Sequence, residues 1–455
     1  MNTYAAIDPH DETIIREIPV YTLREAEAAL ADAEAAFQKW KQVSFSHRAE
    51  VLRNVAAKME ANVESLAMLM TEEMGKPIRE ARAEVKKAAW CAVHYAEHAQ
   101  AYLADQPLSS DASESGVTYR PLGPVLGILP WNAPIWLAFR FLAPTLMAGN
   151  SCVFKHDPHV PGCAQAIAEL FAGYDEPIVT HLPLANDDVA AVINNPRIHG
   201  VSFTGSVKTG SIVAGLAGAA LKPSVLELGG SDPAIVLADA DLEKAAKTIA
   251  LSRIINAGQS CIAAKRIIVE SQVHDHFVEL LSRELSTYKM GNPRSEDTGM
   301  GPLARHDIRE NLHRQVSESI TAGATRRMGG DIPSGKGFYY PITLLTEVTN
   351  EMPVCREETF GPVASILRVT SADEAIHIAN DTEYGLAASI WTETTRGKQL
   401  LPQLNAGQVV LNGIVKTDPR LPSGGIKRSG YGRELGPHGI HAFVNPCQYW
   451  IAPCC

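Results

Sequence analysis

Short apolar segments alternate with helical segments along the middle of this chain, and that alternation limits the fold more than any other feature. Between residues 121 and 217, apolar runs of strand length at 125–129, 151–154, 178–182 and 200–203 are each followed by a stretch with helical periodicity. Such alternation predicts a parallel sheet with helices on both faces. Ligands of these sheets bind beyond the carboxyl ends of the strands, so we expect functional side chains there.

The alternation resumes after residue 225 and predicts a second α/β domain. Strand-like runs at 234–237 and 266–269 accompany helical stretches at 240–255 and 372–380. A chain of 455 residues is long enough for two or three domains, each with its own core.

The two ends of the chain differ from this middle part. The first hundred residues are expected to be helical, with a capping box at Thr22 and Glu25 opening the first helix. The polar, Ser-rich segment 106–119 predicts a loop or an edge strand outside the main body. The Gly/Pro-rich segment 421–439 predicts an active-site or interface loop that leads into a terminal strand.

Composition excludes several classes of function. A formal net charge of −10 argues against nucleic acid or an anionic membrane surface as the main partner. Residues 1–20 lack the apolar core of a signal peptide, and no stretch approaches the ~18 apolar residues of a membrane span. The eight cysteines show no metal-ligand spacing, so we expect free thiols, no metal and a cytoplasmic location. The terminal Cys454-Cys455 pair is given no function.

A cysteine and a glutamate form the main candidate site. Cys261 follows Gly258 among small and polar residues, where a turn can expose the thiol, and Glu227 precedes Gly229 and Gly230, as at the end of a strand. This combination indicates covalent catalysis, in which sulfur attacks a carbonyl and the carboxylate handles protons or water. Taken alone, a lone cysteine is more often a buried small apolar residue.

Further motifs occur in a definite order around these two residues, and each alone is a weak indication. The motifs are Leu129-Pro130-Trp131-Asn132, Phe154-Lys155, Phe203-Thr204-Gly205-Ser206, Leu226-Glu227-Leu228-Gly229-Gly230, Gly258-Gln259-Ser260-Cys261, Glu357-Glu358-Thr359-Phe360-Gly361-Pro362, Asn380-Asp381-x-x-Tyr384-Gly385-Leu386 and Gly424-Gly425-Ile426-Lys427-x-Ser429-Gly430. In this order they resemble the aldehyde dehydrogenase superfamily, from about residue 3 to residue 450. Within it the chain is most similar to the bacterial succinate-semialdehyde dehydrogenase group.

The resemblance implies oxidation of an aldehyde to an acid with a nicotinamide cofactor. Cys261 would attack the aldehyde carbon to give a thiohemiacetal; after hydride transfer, water deprotonated by Glu227 would hydrolyse the thioester. Asn132 matches the family's oxyanion residue and would act together with the Cys261 backbone N–H; losing one such donor typically costs ~10²–10³ in kcat. A turn residue is the alternative for Asn132.

The resemblance also implies a cofactor site without the usual G-x-G-x-x-G fingerprint. Gly205 and Ser206, between the strand 200–203 and the following helix, would face the pyrophosphate, although Ser206 is also suited to cap that helix. Four more side chains match cofactor contacts of the family: Trp131, Lys155, Glu358 and Phe360. For Glu358 and Phe360 the alternatives are a surface carboxylate and a core aromatic.

One departure from the family bears on the choice between NAD and NADP. Many NAD-preferring members carry a Glu three positions after the lysine, where this chain has Pro158. The loss weakens the repulsion of a 2′-phosphate, but the neighbouring Asp157 partly replaces it. We therefore expect NAD, with NADP as the alternative.

Arg140 is the main indication of substrate class. It lies among apolar residues in the helix after Asn132 and matches an arginine that binds the distal carboxylate in succinate-semialdehyde dehydrogenases. Such a charge-assisted bond contributes ~1.5–3 kcal/mol. Arg420 is a candidate for the second charge, since the usual second arginine is replaced by Ile255. The alternative for Arg140 is a structural ion pair with a neighbouring acid.

The predicted fold is α/β and aldehyde dehydrogenase-like. It has a Rossmann-type cofactor domain (1–105 and 120–228), an α/β catalytic domain (229–432) and a small β oligomerisation element (106–119 and 433–455) that implies a homodimer or homotetramer. The predicted substrate is a short carboxylated aldehyde, succinate semialdehyde first. The alternatives are a dehydrogenase of an uncharged aliphatic or aromatic aldehyde and, more remotely, a non-catalytic scaffold. Glu227 argues against an acylating dehydrogenase, and Cys261, Glu227 and Asn132 together argue against a scaffold.

Overall fold

The computed structural model describes residues 3–174 and 176–453, so the Cys454-Cys455 pair lies outside the described residues. We number helices and strands in chain order. The helices are α1 (Leu23–Trp40), α2 (Phe45–Ala61), α3 (Val63–Met74), α4 (Ile78–Tyr102), α5 (Pro134–Met147), α6 (Pro161–Leu170), α7 (Val189–Asn194), α8 (Val207–Ala219), α9 (Leu242–Ile254), α10 (His274–Leu285), α11 (His306–Thr321), α12 (Pro353–Arg356), α13 (Ala372–Asn380), α14 (Thr394–Leu400) and α15 (Gly436–His441).

The strands fall into four sheets. They are β1 (Thr3–Ile7), β2 (Ile14–Pro19), β3 (Gln106–Pro107), β4 (Glu114–Pro121), β5 (Val125–Leu129), β6 (Cys152–His156), β7 (Val179–His181), β8 (Gly200–Thr204), β9 (Ser224–Glu227), β10 (Pro233–Val236), β11 (Arg266–Glu270), β12 (Thr325–Met328), β13 (Thr343–Thr346), β14 (Val363–Val369), β15 (Ala387–Trp391), β16 (Gln408–Leu411), β17 (Gly430–Tyr431) and β18 (Val444–Ile451).

The first large sheet has the order β17-β9-β8-β5-β6-β7, and β5 to β9 are parallel, as the alternation predicts. Its edge is closed by β17, which comes from the C-terminal part of the chain and runs antiparallel to β9, with Gly430 opposite Glu227. The carboxyl end of β9 therefore meets the Gly/Pro-rich segment. Glu227 is the last residue of β9, at the edge where ligands are expected.

The second large sheet has the order β12-β13-β14-β11-β10-β15-β16 and is parallel except for β12. A third, antiparallel sheet has the order β18-β4-β3. In the segment predicted as a loop or edge strand, residues from 114 onward belong to β4, which pairs with β18 over the whole length of both strands, and β3 pairs with β4. The predicted α/β class is confirmed by both parallel sheets.

Two expectations for the N-terminal region are corrected. Residues 3–19 form the antiparallel hairpin of β1 and β2, not helix; both strands are short and contain the β-branched and aromatic residues Thr, Tyr and Ile, which favour strands. The region that ends at Met74, expected to be helical, is divided into two helices, α2 and α3, because the backbone of Asn62 between them leaves the helical conformation (φ −113°, ψ 23°). The capping box at Thr22 and Glu25 is present. Among the described residues no helix is long and apolar enough to cross a membrane.

Helices α4 and α5 cross in the core between the first sheet and the N-terminal helices. Every residue of α5 is buried, including Arg140, and α4 packs against both α2 and α5. A helix that is buried all round must satisfy any charge it carries inside the protein. The environment of Arg140 therefore decides what that residue does.

Candidate active site

A cavity of about 290 Å³ lies between α4, α5 and the segment that precedes β11. Cys261, Asn132 and Arg140 all line it, so the structure brings together three residues that are far apart in the sequence. Most of its surface is apolar, and its polar atoms belong to a few charged and amide side chains. This is the form of a pocket for a small polar ligand with an aliphatic body.

The nucleophile candidate follows an unusual backbone segment. Asn256, Ala257 and Gly258 have φ values of 57°, 52° and 74°, in the left-handed region that L-residues rarely adopt. A side chain at position 258 would place its Cβ 2.3 Å from the carbonyl oxygen of Gly361, so only glycine fits. The turn brings Cys261 to the cavity wall, where it is partly exposed together with Ser260 and Ile262.

Lys265 and Glu80 hold this segment from either side. The Lys265 ammonium donates to the carbonyl oxygens of Cys261 (2.5 Å) and Ser260 (3.1 Å). The Glu80 carboxylate accepts from the backbone N–H of Asn256 at 2.7 Å. Burial raises the pKa of Glu80 to about 7. Both charged groups bind backbone atoms, so their direct effect is to fix where the sulfur lies.

Asn132 lies against the same segment. Its side-chain amide donates to the carbonyl oxygen of Gln259 (3.1 Å), and its own carbonyl oxygen accepts from Lys76 (3.0 Å) and Asn256 (2.8 Å). The bond to Gln259 orients the side-chain amide, and the other two hold the backbone carbonyl of Asn132; the second N–H of the amide remains to act as a donor. This geometry is what an oxyanion-binding residue requires.

Glu227 is buried beside Arg140, and Arg140 also forms an ion pair with Glu434. Arg140 Nη2 lies 3.2 Å from Glu227 Oε2 and 2.6 Å from Glu434 Oε2. The other oxygen of Glu227 is buried without a hydrogen-bond partner in the described residues. Burial raises the pKa of Glu227 to about 7, and Arg140 opposes that rise. A carboxylate with this pKa and a vacant oxygen is suited to accept a proton near neutral pH.

The thiol of Cys261 is protonated in the free protein. Burial raises its pKa to about 12, and the positive charges of Lys265 and Arg140 only partly offset this effect. Because the thiolate is the nucleophile, the proton must be removed as the sulfur attacks. Two carboxylates with pKa values raised by burial act on this thiol, Glu358 and Glu227, and Glu227 is the one with a buried oxygen that lacks a hydrogen-bond partner in the described residues, so it is the better candidate for the acceptor.

Two of the residues expected at the cofactor lie near the carboxyl ends of neighbouring parallel strands, Trp131 just after β5 and Lys155 in β6. Trp131 and Phe360 meet edge to face, with ring centroids 5.6 Å apart, and Glu358 accepts from the N–H of Gly230 at 3.1 Å. Lys155 is buried at the end of β6, and its only hydrogen bond in the described residues is a long one, 3.4 Å to the carbonyl oxygen of His156. Its remaining donors fit the ribose hydroxyls of a nicotinamide dinucleotide.

Gly205 and Ser206 lie between β8 and α8, as expected. The Ser206 side chain accepts from the N–H of Thr209 and caps α8, so the capping alternative holds. The N–H of Gly205 donates to the carbonyl oxygen of Glu227 at 3.0 Å and is not free for a pyrophosphate. An anion at this point would therefore be bound by backbone N–H groups of the first turn of α8.

Arg420 is not where the sequence-based hypothesis needs it. Its side chain is 66% exposed, donates to Asp418 and lies over the Trp90 ring, and it is outside the described lining of the cavity. A carboxylate two residues away satisfies it locally, so it supplies no second charge to the substrate. Arg140 forms ion pairs with neighbouring acids, which was the alternative to substrate binding, and it also lines the cavity.

Sequence analysis missed the contribution of α4. Glu80, Glu84 and Lys87 all line the cavity, and their spacing of four and three residues places them on one helix face. Glu84 accepts from the N–H groups of Ile135 and Trp136 at the start of α5, at 3.0 and 3.1 Å. A row of charges at helical spacing was visible in the sequence; that it faces inward was not.

Comparison with known proteins identifies the family. The model of the aldehyde dehydrogenase family matches residues 1–448, and the chain belongs to this family of oxidoreductases. It is 43% identical to the succinate semialdehyde dehydrogenase [NAD(P)+] of Escherichia coli (strain K12), over 98% of this chain and 97% of that protein. It is 44% identical to a probable succinate-semialdehyde dehydrogenase [NADP(+)] of Synechocystis sp., over 98% and 99% of the two chains.

Solved structures agree on the fold. A succinic semialdehyde dehydrogenase from Streptococcus pyogenes with NADP+ matches with a TM-score of 0.96 at 34% identity, covering 99% of this chain and 100% of that one. Lactaldehyde dehydrogenase from Escherichia coli matches as well, with a TM-score of 0.97 at 33% identity, covering 100% and 96%. Since enzymes named for different aldehydes share this fold, the substrate must be argued from the cavity.

Replacing Cys261 with Ser should abolish turnover, because a serine hydroxyl is a far weaker nucleophile here. Cofactor affinity, measured by fluorescence titration, should stay at the wild-type value, since Trp131 and Phe360 are unchanged. Normal rates of cofactor reduction in this variant would exclude Cys261 as the nucleophile.

Replacing Glu227 with Gln should remove the general base and keep the size and shape of the side chain. We expect at most one burst of reduced cofactor per active site in stopped-flow absorbance, followed by a steady rate lower by about 10²–10⁴-fold. A steady rate equal to that of the wild type would assign activation of water to another group.

The ion pair between Arg140 and Glu227 predicts a pH effect. Glu227 must be deprotonated to act, so kcat/KM should fall as the pH drops through about 7. Arg140 lowers the pKa of Glu227, so Arg140→Met should move this acid limb to higher pH, by about 1 unit or more. Arg140→Lys, which keeps a charge, is the control. An acid limb at the same pH in Arg140→Met would show that the pair does not set it.

Proposed function

We propose that the protein oxidises a short aldehyde with a distal carboxylate, succinate semialdehyde first, to the corresponding acid with NAD(P)+. The observation that supports this substrate best is the charge of the cavity: besides Arg140, it is lined by Lys76, Lys87 and Lys416. Two glutamates, Glu80 and Glu84, line it as well, so the cations outnumber the carboxylates, and this excess of positive charge in a mainly apolar cavity suits an aliphatic chain with an anionic end. The names of the relatives that are 43% and 44% identical point the same way.

The proposed chemistry assigns one role to each residue. Cys261 attacks the aldehyde carbon and its proton passes to Glu227, while the Asn132 amide and the Cys261 N–H hold the oxygen that becomes negative. Bound NAD(P)+ supplies the hydride acceptor. Glu227 then releases that proton to solvent and deprotonates water, which attacks the thioester carbon; the C–S bond breaks, the acid leaves, and Glu227 returns its proton to the sulfur of Cys261.

We infer that both cofactors are accepted. The position three residues after Lys155 is Pro158, which carries no charge, and the carboxylate of Asp157 is occupied by the ring of His159 at 2.7 Å. A carboxylate held in this way repels a 2′-phosphate less than a free one. The expected preference for NAD is therefore weaker than the sequence implies, in line with relatives named for NADP(+).

We further propose a cytoplasmic homodimer or homotetramer. The six described cysteines are free thiols, as expected in a reducing compartment. The sheet of β18, β4 and β3 has an outer edge at β18, where Trp450 and Ile451 are about half exposed. An edge strand with exposed apolar side chains is suited to pair with a second copy.

The test is steady-state reduction of NAD and NADP with succinate semialdehyde and with butanal, which has the same number of carbon atoms and no charge. We expect kcat/KM at least about 10-fold higher for the charged aldehyde, the smallest effect of one charge-assisted bond. Equal or better turnover of butanal would leave the roles of Cys261 and Glu227 standing and remove the substrate assignment.

A further inference from the structure

The cations that line the cavity are not equally free. Lys76 forms an ion pair with a glutamate of α4, and Arg140 is bound to two glutamates. Lys87 and Lys416 have no carboxylate oxygen within 4.0 Å in the described residues. The positive charge that still lacks a partner is therefore at these two lysines, not at the arginine that sequence comparison favours.

Lys87 is better placed than Lys416 to hold an anion. Its ammonium donates to the hydroxyl of Thr417 at 2.8 Å and lies 4.1 Å from the centre of the Trp136 ring, whereas Lys416 is exposed. Both partners of Lys87 are neutral, and the hydroxyl takes only one of its three donors. A half-buried ammonium fixed on an aromatic face, with two donors remaining, is a preorganised anion site.

The position of Lys87 on α4 places its side chain at the cavity. Glu80 and Glu84 precede it by seven and three residues on the same helix face, and both are occupied by the protein. Glu80 holds the segment before Cys261, and Glu84 holds the start of α5. Lys87 is the member of this row whose charge the protein leaves unpaired.

We propose that Lys87 binds the distal carboxylate of the substrate, and that Arg140 acts chiefly on Glu227. This inference rests on the proposed function, since it requires an ω-carboxylated aldehyde. Lys87 and Cys261 line the same cavity, so one short substrate contacts both, with the aldehyde at the sulfur and the carboxylate at the ammonium. Lys87 thereby selects the substrate, and Arg140 tunes the base.

The charge of Lys87 also makes binding depend on pH. Burial, followed by the repulsion of Arg140 in α5, lowers the pKa of Lys87 to about 8; Glu84 and Cys91 in α4 and Asp418 in the facing loop act in the opposite direction. In the free protein the ammonium therefore loses its proton as the pH rises through about 8. A bound carboxylate favours the charged form. The affinity for a carboxylated aldehyde should accordingly fall at higher pH, and that for butanal should not.

The test replaces Lys87 with Met, which keeps the length and removes the charge. We expect kcat/KM for succinate semialdehyde to fall about 10- to 150-fold, mainly through KM, with little change for butanal. Lys86→Met is the matched control, because Lys86 is the neighbouring exposed residue of the same helix and should leave both substrates unaffected.

Each outcome has one meaning. An equal loss on both aldehydes, or a preference for succinate semialdehyde that survives in Lys87→Met, would overturn the inference and leave the proposed function intact. A wild type without that preference would overturn both.

A second variant tests the same inference if Lys87→Met folds poorly. Lys87→Arg keeps its charge at high pH, so its kcat/KM for succinate semialdehyde, relative to butanal, should stay level above pH 8 where the wild type declines. Parallel profiles for the two proteins would overturn the inference.

Discussion

The carboxylate of Glu84 holds together parts of the site that are distant in the sequence. One oxygen accepts from two N–H groups at the start of α5, and the other pairs with Lys76, which in turn donates to the carbonyl oxygen of Asn132. These groups are buried, so each donor left without its acceptor would cost about 1–3 kcal/mol. The negative charge of Glu84 is also stabilised by its position at the N-terminus of α5. The positions of Asn132 and of Arg140, further along α5, depend on this one side chain.

The site divides its tasks between two kinds of support. The chemical groups lie at strand ends and on the left-handed segment before β11, where backbone hydrogen bonds limit their movement. The charged groups proposed to select the substrate and to tune the base, Lys87 and Arg140, belong to α4 and α5, outside both sheets. This division is consistent with one fold serving enzymes named for succinate semialdehyde and for lactaldehyde.

Sequence reasoning was most successful where the information is local. Periodicity predicted both parallel sheets, and short motifs singled out Asn132 and Cys261, which line one cavity. The ion pairs of Arg140 could not be predicted in this way, because Glu227 and Glu434 come from a strand end and from the loop after β17. Arg420 failed as a candidate for the opposite reason: its partner, Asp418, is only two residues away. The hairpin of β1 and β2 was missed because its strands are only five and six residues long and show no regular alternation of apolar and polar residues.

The same limit explains why α4 was predicted only as part of a helical region and not as a wall of the cavity. The apolar positions of α4 are those of a helix that packs on the core. Only the fold shows that a second face of this helix, whose charged residues have different roles, lies against a cavity. Periodicity tells which residues share a face, and tertiary structure decides what that face meets.

The protonated state of Cys261 has a consequence for the durability of the protein. Peroxide and alkylating reagents attack thiolates, so a thiol whose pKa burial raises to about 12 reacts slowly with them in the resting protein. Damage should therefore accumulate during turnover rather than during storage. Covalent inhibitors that depend on an already ionised cysteine should be poor reagents for this site, and aldehyde-like compounds that recruit Glu227 should be better ones.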